Sequence, residues 1–186
     1  PRKGVDNVVR SLACFPPGQA VDAQLIVVGG ESEEPDAAQT PEIARLKHIA
    51  SEEGVAERVT FAGRVRRDHL KYYYSAADVF VTTPWYEPYG MTPLEAMACG
   101  IPVIGASVGG IKYSVRDGET GYLVPPRDPV ALAERLAYLH SAPKHRELLG
   151  KRALLRVHQQ FTWQKITRHI AALYEHVLDK RQMVAV

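Results

Sequence analysis

Apolar positions follow two alternating patterns along this chain. Val5, Val8, Val9, Leu12 and Phe15 recur at the spacing of one helix face, just after Lys3-Gly4. "AQLIVVGG" (23–30) is a continuous apolar run ending in glycines, the pattern of a strand covered on both faces. The acidic, polar stretch "ESEEPDAAQ" (31–39) reads as a loop. It leads into a helix with Thr40 as N-cap, Pro41 in the first turn and Gly54 as the stop. "RVTFAG" (58–63) reads as a strand, "RDHLKYYYSAA" (67–77) as a helix and "DVFVTT" (78–83) as a strand. The helix carrying Glu95 follows, then strand "IPVIGA" (101–106), then a turn and short strand in "DGETGYLVPP" (117–126). Asp128-Pro129 opens a helix through Leu139, and from Pro143 onward the pattern is mostly helical. The last helix takes Thr162 as N-cap and carries Ile166, Ile170, Leu173, Tyr174 and Val177 on one face.

Buried apolar strands alternating with helices predict an α/β fold: a doubly wound, Rossmann-like parallel sheet with helices on both faces, followed by C-terminal helices. Ligands of such folds bind beyond the carboxyl ends of the strands. The stretch "TTPWYEPYGMT" (82–92) falls there.

Composition narrows the function classes. A chain of 186 residues suits one domain with a real core, so residues 1–186 are read as one unit. With 46% hydrophobic and 24% charged residues, it is an ordinary globular chain and not a disordered one. The net charge of +2, with no stripe of Lys and Arg, gives no support to a nucleic-acid partner. No apolar run approaches the ~20 residues of a membrane helix, and no signal peptide is expected. Cys14 and Cys99 both lie in apolar helical contexts, which predicts buried free thiols and a reducing cytoplasm. The seven histidines form no HExxH, there is no CxxC, and the His pairs read as helix-surface residues, so no metal site is expected. "VVGGESEE" lacks GxGxxG, and Glu31, Glu33 and Glu34 would repel a pyrophosphate, which argues against a nicotinamide enzyme.

The candidate chemistry sits in "YEPYGMTPLEAMACGIPVI" (86–104), where Glu87 and Glu95 stand eight positions apart. Thr92-Pro93-Leu94-Glu95 has the form of a capping box, in which Glu95 only reaches back to the Thr92 amide, worth ~1 kcal/mol. The same helix start offers another use. Free amides at Gly90, Met91 and Thr92 would make an anion site, with Gly90 letting a ligand approach closely. A sugar or ribose beyond that anion would meet Glu95. Glu87 reads either as a solvated loop carboxylate or as a group facing a ligand. A glycosidase pair, with carboxyls ~5–9 Å apart, is a poorer fit because Glu95 starts a helix whose natural neighbour is an anion.

From "FVTTPWYEPYGMTPLEAMACGIPVIGASVGG" through "DGETGYLVPPRDPVALAERL", the chain resembles the donor-binding C-terminal domain of the retaining family-4 (group 1) glycosyltransferases, which have the GT-B fold. Glu-x7-Glu is that family's signature, and the resemblance extends from "PRKGVDNVVRSL" to "FTWQKITRHIAALYEHVL". It implies roles at matching positions. Lys3 would contact the donor diphosphate, and Glu87 would face the donor sugar at the reaction centre. The amides of Gly90, Met91 and Thr92 would hold phosphate and sugar, and Glu95 the ribose hydroxyls. The backbone of Arg64 and Val65 would meet the nucleobase. Without the resemblance, Lys3 reads better as a solvated loop lysine, Arg64 and Val65 equally well as surface loop residues, and Gly109-Gly110 as a turn after a strand.

The resemblance further implies retaining hexosyl transfer from a UDP-, GDP- or ADP-sugar. No DxD motif is present, so basic groups and a helix N-terminus are expected to neutralise the diphosphate without a metal or other cofactor. Against a complete family member, the acceptor-binding N-terminal domain is missing, and so is the first strand, which would precede "PRKG". The fragment is therefore expected to show little or no turnover. Other readings are a nucleotide-sugar-binding or regulatory module without transfer, an NDP-sugar epimerase, or a phosphorylase on the same fold. With the family's 3-2-1-4-5-6 strand order, 23–30 and 78–83 would flank the missing strand. Either they pair directly, shifting Lys3 away, or another polypeptide fills the slot.

Overall fold

The computed structural model describes residues 2–19 and 21–184, with side chains described through residue 178. The elements run α1 (Val5–Ser11), β1 (Leu25–Val28), α2 (Pro41–Glu52), β2 (Val59–Gly63), α3 (Leu70–Ala76), β3 (Phe80–Thr82) and α4 (Met91–Ala98). They continue with β4 (Val103–Ala106), α5 (Ile111–Ser114), β5 (Gly121–Val124), α6 (Pro129–Ser141), α7 (Pro143–Gln160) and α8 (Trp163–Val184). The expected alternation is present, with strands trimmed by a residue or two at their ends.

Local signals explain several boundaries. Pro41 starts α2 with the φ a first turn needs, and Gly54, at φ 68°, takes the left-handed position that ends it. The Asp128 side chain accepts from the Ala131 N–H at 2.9 Å and caps α6. The Lys165 N–H reaches Thr162 Oγ1 at 3.4 Å, a long contact at the start of α8.

Every strand pairing is parallel, as the apolar runs predict, but the strands form two sheets, β1-β2 and β3-β4-β5. Within each sheet the strands follow chain order, and no described ladder joins one sheet to the other. Among the described residues, no strand pairing joins 23–30 to 78–83, so the expected direct pairing is not formed. Lys3 keeps its place beside Glu87 instead of shifting away. The two sheets are joined by α1, whose neighbouring valines enter different cores. Val8 packs with Ile104, Tyr122, Val124, Leu132, Leu139 and Leu149. Val9 packs with Leu12, Leu46, Ile49, Ala50 and Val55, against Leu25, Val59 and Phe61. A third core lies between α4 and α7, around Met97, Val103, Ile111 and Ala153.

The expectation that β1 is covered on both faces needs correction. Leu25 and Val27 are half-buried, but Ile26 is 56% exposed and Val28 36% exposed. The other face of β1 packs through Leu25 on the core of α1 and α2. The apolar face of α8 is likewise exposed at Ile170, Leu173, Tyr174 and Val177. Cys14 and Cys99 are free thiols, half-buried rather than buried.

Candidate functional site

The site forms where three loops meet at the carboxyl end of β3. The first carries Lys3. Its Gly4, at φ 68°, lies so close to the strand end that an added Cβ would fall 2.7 Å from the Thr83 carbonyl carbon. The buried Thr83 hydroxyl donates to the Gly4 carbonyl at 2.8 Å, and the Trp85 N–H donates to the Arg2 carbonyl at 3.2 Å. This docking sets Lys3 Nζ 2.7 Å from Glu87 Oε2. The Lys3 side chain is 67% exposed and that of Glu87 20%, so the pair contributes ~0–1 kcal/mol and is readily exchanged for another anion.

The second loop is 84–90, which carries Glu87 and hands over to α4. Gly90 is the N-cap of α4, in the left-handed conformation at φ 82°. The helix therefore starts two residues before the capping-box reading, with Met91 and Thr92 in its first turn and their amides without partners inside the helix. Thr92 is not the N-cap, and Glu95 has passed beyond the position from which it could reach back. Its Oε2 instead accepts from the Tyr74 hydroxyl at 2.9 Å. Burial, and then the Glu95 carboxylate, push the Tyr74 phenol well above its ordinary 10.0. Tyr74 is itself held edge-on against Phe80, with ring centroids 5.4 Å apart. Glu95 is thus a half-buried carboxylate with one oxygen fixed by a neutral donor.

The third loop supplies Gly109-Gly110, which is more than a turn. The Gly110 N–H donates to the Glu87 carbonyl at 2.9 Å. A Cβ on Gly109 would lie 2.9 Å from the Glu87 carbonyl carbon, and one on Gly110 would lie 2.6 Å from Tyr89 Cα. These two glycines form the bed on which the Glu87 loop rests. Ile111, the first residue of α5, touches the same loop, since a Cβ at Gly90 would sit 3.3 Å from its side chain. Trp85 carries the Arg127 guanidinium 3.8 Å above its ring, and Arg127, at φ 60°, is the non-glycine residue with a positive φ among those described.

The structure thus brings Lys3 and Glu87 into contact beside Gly90, Met91 and Thr92 at the start of α4, while Glu95, a turn further along α4, is joined to Tyr74. Arg64 and Val65 follow β2 in the other sheet, and no described hydrogen bond, ion pair or ring contact joins them to Glu87. The Arg64 N–H is already taken by the Ser32 carbonyl at 2.7 Å, so its carbonyl, and not its amide, is the backbone group left for a ligand. Sequence reasoning missed Gly4, Thr83, Tyr74 and the bed under Glu87. The glycine after Lys3 and the pair in "SVGG" were the visible signals. Among the described residues, no cluster of three His, Cys, Asp or Glu could hold a metal ion, and no helix is long and apolar enough to cross a membrane.

The family model described as "Glycosyl transferases group 1" matches residues 1–156, most of the chain and all of this site. The chain belongs to that family. Its relatives include D-inositol 3-phosphate glycosyltransferases. The protein of that name from Acidothermus cellulolyticus is 35% identical over 188 aligned residues, which take in 100% of this chain and 41% of the relative. That from Mycolicibacterium gilvum is 40% identical over 142 residues, covering 76% of this chain and 30% of the relative. Among solved structures, sucrose-phosphate synthase from Thermosynechococcus elongatus superposes with a TM-score of 0.81 at 37% identity, over 96% of this chain and 43% of that one. Anabaena HepE in complex with UDP gives 0.83 at 26% identity, over 95% and 46%. This group 1 chain therefore spans less than half the length of these relatives. Its two half-sheets and helices correspond to the Rossmann-like C-terminal part of a GT-B glycosyltransferase.

Proposed function

We propose that this chain is the donor domain of a retaining hexosyltransferase and binds a nucleotide diphosphate sugar at the carboxyl end of β3. The convergence of Lys3, Glu87 and the open first turn of α4 on the Gly109-Gly110 bed carries this reading. A helix start with free amides and a mobile ammonium suit a diphosphate leaving group. In this scheme the incoming diphosphate draws Lys3 off Glu87, and the freed carboxylate faces the sugar as positive charge develops at its anomeric carbon. Glu95, oriented by Tyr74, holds the ribose hydroxyls through its other oxygen. The carbonyl side of Arg64-Val65 reads the base.

Several observations support parts of this scheme. The solved HepE complexes contain UDP and UDP-glucose, which favours a uridine donor over GDP or ADP. Transfer itself needs an acceptor site as well as a donor site, and the chain spans less than half the length of its relatives, so the chain alone should turn over little. The positive groups at the site stand in for a metal, and the free thiols fit a cytoplasmic setting. The alternative of binding without transfer differs in one respect: Glu87 would then be dispensable.

The test is a melting-temperature screen of the chain with UDP, GDP and ADP, each with EDTA and with Mg2+. A ligand that binds only the folded state stabilises it by mass action. UDP should raise Tm equally with and without EDTA. No shift with any of the three nucleotides would refute the donor site, and a shift lost in EDTA would refute metal independence. Incubating the full-length parent with a labelled donor then separates transfer from isomerisation and from phosphate-dependent release.

A further inference from the structure

Three arginines line one cleft at the C-terminal end of α5, the end away from the Gly109-Gly110 bed. Arg116 follows α5, and Arg152 and Arg156 stand one turn apart on α7. They line an open cleft of about 340 Å³ together with Glu119, Thr120, Leu155, Gln159 and Gln160, the last bonded to Arg156. Arg156 is anchored. Its Nε–H donates to the Ser114 carbonyl at 2.9 Å and another guanidinium N–H to the Tyr113 carbonyl at 2.6 Å, which caps the C-terminal end of α5. A third N–H donates to Gln160 Oε1 at 3.0 Å. Arg116 shares Glu119 at 3.3 Å, an exposed pair of small worth. These contacts explain the positions of Arg156 and Arg116. They do not explain Arg152, which has no described partner, nor the gathering of three positive charges around one carboxylate. Burial, and then the charge of Arg116, pull the Arg156 guanidinium below its ordinary value, as expected where cations crowd without enough anion.

The cleft is rich in donors and poor in acceptors. Each guanidinium keeps free N–H groups, and the Gln160 amide, its oxygen already engaged, presents NH2. The matching ligand carries acceptors and negative charge on one face. We propose that this cleft is a second anion site, taking the phosphate of a small phosphate monoester between Arg116, Arg152 and Arg156. Guanidinium forks suit a phosphate's several oxygens. The cleft exceeds what a bare phosphate fills, and Leu155 offers an apolar wall for the ligand's carbon skeleton. None of the residues lining this cleft belongs to the site around Glu87. The single turn of α5, on the order of 6 Å long, separates it from the Gly109-Gly110 bed.

The test uses the chain with glycerol phosphate as probe, at constant ionic strength, followed by 1H–15N correlation spectra that include arginine side-chain N–H signals. Saturable shifts are expected at the Arg116 and Thr120 amides and at Arg156 Nε–H. Arg152→Ala should weaken them about tenfold, the scale of one charged hydrogen bond. Lys3→Ala should leave them unchanged, since phosphate held at the donor site would respond in the opposite way. Arg152 is exposed, so its replacement should fold, and Arg152→Gln provides a second variant that keeps the side chain's polarity. Absence of saturation, shifts confined to residues 87–95, or shifts indifferent to both Arg152 variants would each overturn the proposal.

Discussion

The bed beneath Glu87 can be tested with a single methyl group. Gly110 has φ −64°, an ordinary helical value, so Gly110→Ala introduces no backbone strain of its own. Its new Cβ would meet Tyr89 head-on, 2.5 Å from the carbonyl carbon and 2.6 Å from Cα, where ordinary contact begins at 3.4 Å. Both neighbours are backbone, so no side-chain rotation relieves the clash. The 87–90 loop must retreat by about 1 Å, which breaks or stretches the Gly110 N–H bond to the Glu87 carbonyl. Overpacking of this kind costs ~1–3 kcal/mol, and the strained hydrogen bond ~1 kcal/mol more. For a domain of this size each kcal/mol lowers Tm by about 2–4 °C. The functional loss should be larger, because a displacement of about 1 Å at a reacting group costs on the order of 100-fold in rate. Calorimetric UDP titration and turnover of the full-length parent read the two effects separately. Gly118→Ala is the control: its φ of 72° imposes strain, yet no atom lies within 4 Å of the added methyl group. It should lower Tm and leave UDP affinity and turnover intact. If Gly110→Ala matches wild type in turnover and Tm, the glycine pair does not support the site as described.

Glu87→Ala in the full-length parent should reduce turnover strongly with little change in UDP affinity, the signature of a group acting mainly in the transition state. Equal losses in both would remove it from the reaction centre. Glu95→Gln should weaken UDP binding by ~1–3 kcal/mol; since α4 is capped by Gly90 and not by this side chain, a loss confined to Tm would contradict the ribose assignment. The Tyr74 phenol, pushed up by burial and by Glu95, contributes stability that is complete below pH 10. As pH rises above the ordinary 10.0, the unfolded chain ionises this group while the folded one resists, so stability falls. Alkaline melts should show a shallower decline in Tyr74→Phe than in wild type, and superimposable slopes would count against the buried pairing.

The elements were legible because their determinants are local. Apolar runs closed by glycine, such as "AQLIVVGG", and the Asp128-Pro129 start need only neighbouring residues to express themselves. The errors lie where distant parts meet. Thr92-Pro93-Leu94-Glu95 satisfies the spacing of a capping box, but the left-handed Gly90 lets α4 begin earlier, and Tyr74, 21 positions away, claims Glu95. The glycine pair at 109–110 stands out in the sequence, but that its missing side chains make room for the Glu87 loop is set by contacts with residues distant in the sequence. Ile26 and Val28 read as buried because a parallel strand normally has cover on both faces, whereas among the described residues that face of β1 is only partly covered.

The division of the sheet has a dynamic corollary. With no described ladder between β1 and β3, the segment from β1 through β2 is tied to the rest by α1, with its two valines, and by Leu25 of β1, which packs on both cores. Cooperative units in proteins follow such seams, and each opens with its own free energy. Amide hydrogens of β1 and β2 should therefore exchange as one foldon, earlier than those of β4, whose Val103, Ile104 and Ala106 are completely buried between two strand partners. Trimming Val9 to alanine would loosen that foldon selectively, because Val9 serves its core and Val8 the other. Protection of the β3-β4-β5 sheet, and with it the frame of the Glu87 loop, would outlast the loss of its neighbour.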